Sequence, residues 1–348
     1  MSWRDLDESD VRARPNRRGS RPRSKDRPLH EDAIAGVVTG VDRGRYAVLV
    51  AAGVGGRASA ERTITAMRAR ELGRKGIVVG DEVDMVGDTA GGADALARII
   101  RLHPRRSVLR RTADDTDPVE RVIVANADQL VIVSALASPE PRPRLIDRCL
   151  VAAYDAGLTP LLVLTKADLV SPQDFLATYA PLDVAAVVTS RPDVKSDGPS
   201  RALDDLRARL SGRVSVFVGH SGVGKSTLVN ALVPGADRAT GVVNDATGRG
   251  RHTSSSAVAL RLPGRDGWVI DTPGLRSFGL AHVDLARIIS HFPDLDAGTA
   301  ECPRGCTHDE AECGLDDWAA SGSAGPNGPA RLESLRRLLR ARSSSAED

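Results

Sequence analysis

A chain of 348 residues with 41% hydrophobic and 27% charged residues is long enough for two or three domains, each with its own core. No run approaches the roughly 18 apolar residues of a membrane span, and the N-terminus lacks the apolar segment of a secretion signal, so a cytoplasmic protein with no membrane partner is expected. The net charge of +2 conceals a basic N-terminal segment, for residues 11–28 hold eight Arg or Lys against Asp26 alone.

That segment cannot bury enough apolar surface to fold by itself, and residues 1–30 are expected to form a disordered basic arm. An electrostatic arm for nucleic acid and a solubilising tail fit it equally. Residues 31–112 carry four or five short strands between Gly-bearing turns, beginning with IAGVVTGVDRGRYAVLVA, and the length fits an OB-type β-barrel. Beyond the basic stretch HPRRSVLRR (103–111), residues 113–280 alternate apolar strands with helices, the pattern of a parallel α/β sheet. Within it Cys149 lies in the apolar helix LIDRCLVAAYDAG and reads as a packed core thiol. Residues 281–348 hold a Cys/His cluster and a final helix, RLESLRRLLRAR, with Leu332, Leu335, Leu338 and Leu339 on one face and five arginines over much of the rest. Such a helix packs its leucines on the parent domain and leaves its arginines in solvent, or it grips RNA or a membrane surface; the first is the commoner use.

The strongest chemical signal is Gly219-His220-Ser221-Gly222-Val223-Gly224-Lys225-Ser226-Thr227, which follows the strand VSVFV and opens a helix. This is the G-x-x-x-x-G-K-[ST] phosphate loop in the context the motif demands. Its glycines let backbone N–H groups surround phosphate oxygens, Lys225 neutralises the β- and γ-phosphates, and the Ser226 hydroxyl ligates Mg²⁺. Downstream, Asp271 ends the strand of WVIDTPGL as a carboxylate that binds Mg²⁺ directly or through water, and Gly274 offers an N–H to the γ-phosphate. Between them GRGRHTSSS (248–256) reads as a switch loop, with Thr253 contacting Mg²⁺ or the γ-phosphate.

Upstream of the phosphate loop, Thr165-Lys166-Ala167-Asp168 ends another apolar strand. A carboxylate at Asp168 accepts both N1–H and the exocyclic amine of guanine, a pair adenine does not offer, while the stem of Lys166 lies along the base. Thr189 and Ser190 sit where a small polar loop closes over the base. Alone, TKAD would be a turn; with the other motifs it reads guanine. In a doubly wound sheet ligands sit at the carboxyl ends of strands, so motif order can be permuted while the site survives. Finally, Cys302-x₃-Cys306-x-His308-x₄-Cys313 gives three thiolates and an imidazole, a donor set for one closed, structural Zn²⁺. Should the short loop strain that geometry, Asp309 or Glu312 is the carboxylate that would join it.

The order TKAD, Thr-Ser loop, GHSGVGKST, GRGRHT and DTPG resembles the circularly permuted ribosome small-subunit-dependent GTPase A (RsgA) family. The resemblance runs from about residue 31 to 340 and includes ANADQLVIV and the Cys/His tail. It implies an OB-type barrel, a permuted P-loop GTPase domain and a small zinc-binding helical domain, acting together in late maturation of the small (30S) ribosomal subunit. It further implies GTP and GDP as ligands, base contacts from Lys166 and Asp168, phosphate and Mg²⁺ contacts from Gly219–Thr227, and a switch at Asp271–Gly274. Partners would be the small subunit and its rRNA, hydrolysis would be stimulated by the subunit, and the chain would act as a monomer. Two departures stand out. Thr165 replaces the usual asparagine, an amide able to bond the base or brace the phosphate loop; its hydroxyl substitutes in part, so weaker nucleotide binding with specificity kept is expected. Leu275 stands where other GTPases carry a water-orienting glutamine, and the resemblance gives that catalytic part to His252 in the switch loop. The competing readings are a GTP-regulated RNA-binding scaffold with incidental hydrolysis, and an ATPase.

Overall fold

The structure, a computed structural model, describes residues 32–54, 60–73, 76–92, 95–112, 120–195, 199–236, 257–272, 278, 280 and 283–343. The basic arm lies outside them. Five strands, β1 (Ile34–Asp42), β2 (Arg45–Val50), β3 (Arg62–Arg68), β4 (Glu82–Gly87) and β5 (Ala97–Leu102), pair in the order β1-β2-β3-β5-β4, and β4 returns to β1. Only β3 with β5 is parallel. This is a closed five-stranded barrel of the OB type, as the sequence predicts. Alternate side chains face inward, so Tyr46, Val48 and Val50 of β2 meet Val38, Ile64, Met85 and Ile99 in one core. β1 serves two neighbours by coiling at Gly36, where a Cβ would lie 2.7 Å from Val48 Cγ1 and 2.8 Å from the Leu49 carbonyl oxygen.

The basic stretch at 103–111 contains a strand that sequence pattern does not announce. β6 (Val108–Thr112) pairs antiparallel with β7 (Glu120–Ala125), and Leu109 is buried while the Arg110 that follows it is exposed. The hairpin meets the barrel closely. The Asn126 Nδ2 amide donates to the Gly80 carbonyl at 2.9 Å, and a Cβ on Gly80 would fall 1.9 Å from the Ala125 carbonyl oxygen. Beside it the fully buried Asp81 accepts from Arg105 at 2.7 and 2.9 Å.

The second sheet runs β10 (Ala185–Val188), β9 (Thr159–Thr165), β8 (Gln129–Ala135), β11 (Val214–Val218), β13 (Trp268–Asp271), β12 (Val258–Arg261). The first five are parallel, and β12 is antiparallel on β13. Strands covered on both faces read as unbroken apolar runs, and β8 is buried at every position. Its Leu130 and Ile132 join the core that includes α1 (Pro143–Asp155), while Val131 and Val133 join that of α4 (Arg201–Leu210) and α5 (Lys225–Leu232). β12 also touches the barrel, through the Gly40–Val258 bridge and an Arg261–Glu61 ion pair at 2.6 Å.

The C-terminal helices are α6 (Leu285–Ile289), α7 (Pro293–Asp296), α8 (Gly314–Ala320) and α9 (Gly328–Ser343). Leu332, Leu335, Leu338 and Leu339 of α9 are buried in the α1 core. Four of its arginines find acidic partners that the pattern does not announce, Arg331 with Asp294, Arg336 with Asp316, Arg337 with Asp147 and Arg340 with Asp309; Arg331 and Arg336 are largely covered, while Arg340 stays exposed. Next to that interface the buried guanidinium of Arg148 donates to the carbonyls of Phe278, at 2.5 and 3.1 Å, and of Ala341, at 3.2 Å. Cys149 is buried, and burial pushes its thiol up to about 12, as befits a core residue.

Candidate functional site

Parallel strands deliver their C-terminal ends to one edge of the sheet, and the predicted motifs stand there together. β11 leads into Gly219, whose Cβ would lie 2.5 Å from the Val133 carbonyl oxygen of β8, so only glycine passes. Gly222 and Gly224 take positive φ values of 83° and 92°, which lets the loop double back into α5. His220 is half-buried and Ser221 exposed, Val223 is buried beneath the loop, and Lys225, Ser226 and Thr227 open the helix. The N–H groups of this first turn have no intrahelical acceptor and carry the positive end of the helix dipole, a setting for phosphate.

β13 runs in register with β11, Phe217 opposite Asp271, and this places the Asp271 carboxylate against the Lys225 ammonium in a nearly buried ion pair. Thr272 Oγ1 donates to the Phe217 carbonyl at 2.8 Å and fixes the strand end. Gly274 lies outside the described residues, as do His252, Thr253 and Leu275.

The TKAD segment is bonded to the phosphate loop. Thr165, buried at the end of β9, donates from Oγ1 to the Val223 carbonyl at 2.6 Å, and the Lys166 ammonium donates to the Gly222 carbonyl at 2.9 Å and to that of Ser138. Lys166 holds a left-handed φ of 61°, which turns the chain so that Asp168 is exposed at the sheet edge. The Asp168 carboxylate accepts from the Arg191 N–H at 2.8 Å. Thr189 turns inward, its Oγ1 bonded to the Leu164 carbonyl at 3.2 Å, and its own carbonyl accepts from the Ala167 N–H. Ser190 bonds through both its N–H and its hydroxyl to Asp193, a residue that sequence reading passed over. The S-x-x-D spacing of Ser190 and Asp193, a capping-box signature, was the available signal.

The Cys/His cluster also converges. The ligand atoms of Cys302, Cys306, His308 and Cys313 lie within 4.8 Å of one another. Cys302 Sγ is 3.6 Å from His308 Nδ1 and 3.9 Å from Cys313 Sγ, and Cys313 Sγ is 4.0 Å from His308 Nδ1. Ligand–ion distances of about 2.0–2.3 Å in a tetrahedron give edges of about 3.3–3.8 Å, so the set fits one Zn²⁺ closely. Positive φ at Gly305 (78°) and His308 (69°) makes the short turn possible. Burial holds His308 below its ordinary value, which suits a neutral imidazole donor. Asp309 is engaged by Arg340, and the carboxylate beside the cluster is Glu310, 3.3 Å from Cys306 Sγ.

Residues 102–281 match the family model described as RsgA GTPase. A small ribosomal subunit biogenesis GTPase RsgA from Gemmatimonas aurantiaca is 37% identical over 284 residues, covering 80% of this chain and 90% of the relative. The chain belongs to the RsgA GTPase family. A second relative of that description, from Pseudomonas aeruginosa, is 40% identical over 265 residues, with 76% of this chain and 75% of the relative covered. Among solved structures, YjeQ from Thermotoga maritima superposes with a TM-score of 0.62 at 24% identity over 90% of this chain and 99% of that one. YloQ, described as a circularly permuted GTPase, gives 0.59 at 19% identity over 91% and 98%. At these identities the likeness is one of fold. As an RsgA-family GTPase the chain is a GTP hydrolase, its ligands are GTP and GDP, and its base-side strand β9 precedes the phosphate-loop strand β11 in sequence.

Proposed function

We propose that this GTPase binds the small ribosomal subunit, acts in its late maturation, and hydrolyses GTP faster when bound to it. The observation that carries the nucleotide site is the pair of bonds from Thr165 and Lys166 to the carbonyls of Val223 and Gly222, which joins the base side and the phosphate side into one rigid cradle. Asp168 reads the guanine edge, Lys166 lies along the base, and Ser190 and Thr189 form and hold the closing loop. Gly219 to Thr227 wrap the phosphates. Lys225, now balanced by Asp271, turns to the β- and γ-phosphates and stabilises charge that develops as water attacks in line. A carboxylate already neutralised by a cation is a fit position for a metal: Ser226 and Asp271 would hold Mg²⁺, which supplies positive charge beside the phosphates. His252 would position water, and Thr253 and Gly274 would contact the γ-phosphate.

The four cluster residues would hold one structural Zn²⁺ and brace residues 302–313. Residues 31–112, 113–280 and 281–348 would act as three folded domains of a cytoplasmic monomer, with the barrel, the zinc domain and the N-terminal arm meeting rRNA mainly through phosphates. Phosphate release from GTP, measured with and without small subunits, tests the reading. Stimulation by small but not large subunits is expected, and no stimulation refutes it.

A further inference from the structure

The loop at Ser190 is tied down by Asp193, a residue of the helix that follows it. After Ser190 the chain forms a five-residue helix, α3 (Arg191–Lys195). Asp193 Oδ2 accepts from the Ser190 N–H at 2.7 Å and from its hydroxyl at 2.6 Å, and Ser190 Oγ receives the Asp193 N–H at 3.4 Å. This is a reciprocal capping box. The other oxygen, Oδ1, accepts from the Ser200 hydroxyl at 3.0 Å. Ser200 is itself the N-cap of α4, receiving the Leu203 N–H at 3.3 Å, and α4 buries Leu203, Leu206 and Leu210 on the sheet. Asp193 therefore anchors the loop at 190 to a helix fixed in the core.

What hangs from this anchor is Asp168. Its side chain is exposed and, among the described residues, its direction is set by the bond from the Arg191 N–H to Oδ1 at 2.8 Å. Arg191 is the residue next to Ser190, so the position of its N–H follows from the grip on Ser190. A carboxylate discriminates guanine only when both oxygens align with the two donors of the base, and a freely rotating one loses that advantage to entropy. Oδ1 has lone pairs enough to keep the Arg191 bond while accepting from a base. Burial raises the Asp193 carboxyl, but hydrogen bonds from Ser190 and Ser200 outweigh it and hold the group below its ordinary value, so it is ionised at neutral pH.

We propose that Asp193 is a positioning residue for guanine selection: it pins Ser190, and through the Arg191 N–H it orients the Asp168 carboxylate. The proposal rests on the reading of Asp168 as the base-reading group, and the test separates the two. The full chain is titrated with GDP and with inosine diphosphate, which lacks the exocyclic amine, by displacement of a fluorescent GDP analogue. Variants are Asp193→Ala, Asp193→Asn and Asp168→Asn, each also followed by thermal melting. The wild type is expected to prefer GDP, and Asp193→Ala to cut the GDP-to-inosine ratio about five- to tenfold, the scale of one misaligned charge-assisted bond. Asp193→Asn, should the Ala variant not fold, is expected to lower it in the same direction. Uniform weakening of both ligands, or no change, with the ratio kept, reduces Asp193 to a helix cap and overturns the proposal. A wild-type ratio in Asp168→Asn instead removes the base-reading assignment beneath it.

Discussion

Replacing Thr165 by Val removes one hydroxyl and almost nothing else. Valine keeps the β-branched shape in a nearly closed position, 6% exposed, and deletes the donor that meets the Val223 carbonyl at 2.6 Å. A buried acceptor left without its donor costs about 1–3 kcal/mol. If the bond holds the phosphate loop in its binding shape, most of that cost appears in the nucleotide complex. Taking about 1–2 kcal/mol, GDP should bind roughly five- to thirtyfold more weakly. Stopped-flow release of a fluorescent GDP analogue should show the loss as faster dissociation, with the preference for guanine over adenine unchanged because Asp168 is untouched. Thr165→Asn, which restores an amide donor, should bind at least as tightly as the wild type. A Thr165→Val protein that melts lower yet releases GDP at the wild-type rate would show that the hydroxyl serves the core alone.

Three further outcomes follow from the same physical reasoning. Burial raises Asp147 from its ordinary 3.8 to about 6 despite Arg337, so the folded state holds its proton more tightly than the unfolded one; stability from this group is complete below pH 3.8, falls as pH rises to about 6 by about 3 kcal/mol in all, and Asp147→Asn should flatten that part of a urea-denaturation pH series. Arg148→Met should cost about 2–4 kcal/mol by leaving the Phe278 and Ala341 carbonyls without these donors, with hydrogen exchange quickened first in α9. Elemental analysis is expected to find one zinc per chain; a strong chelator, or Cys306→Ser, should lower that content and loosen residues 302–313, while GDP affinity stays near the wild type.

The motifs were legible because their chemistry is local: a strand, a glycine turn and a lysine stand within ten residues of one another. What joins them was legible only in outline, as a hydroxyl at Thr165 standing in for a bracing amide. Nothing in TKAD names the Val223 carbonyl as the partner of Thr165, since that bond closes a span of 58 residues. The arginines of α9 read as a solvated or RNA-binding face because charge patterning cannot see Asp147, Asp294 and Asp316 arriving from other elements. β6 was hidden for a related reason, its inward Leu109 standing among arginines whose strand state is set by pairing with β7. In the cysteine loop the ligands were plain, but the neighbouring carboxylate depended on the turn at His308, and Glu310 took the place expected of Asp309 or Glu312.

The permuted strand order also bears on how the chain assembles as it is made. β8, β9 and β10 are consecutive in sequence and adjacent in the sheet, so each parallel pairing closes a single helical crossover. β11 then adds to the free edge of β8, and β13 to the free edge of β11. Each parallel pairing therefore extends an edge already present, a route with less loop-closure cost than threading a strand between two others. During synthesis the corner that carries Thr165 and Asp168 can take shape before the phosphate loop is joined to it, and the Lys225–Asp271 pair closes last. A nascent chain on this route gains nucleotide binding in a single late step, when the strand ending at Asp271 docks, and until then GTP has nothing complete to stabilise.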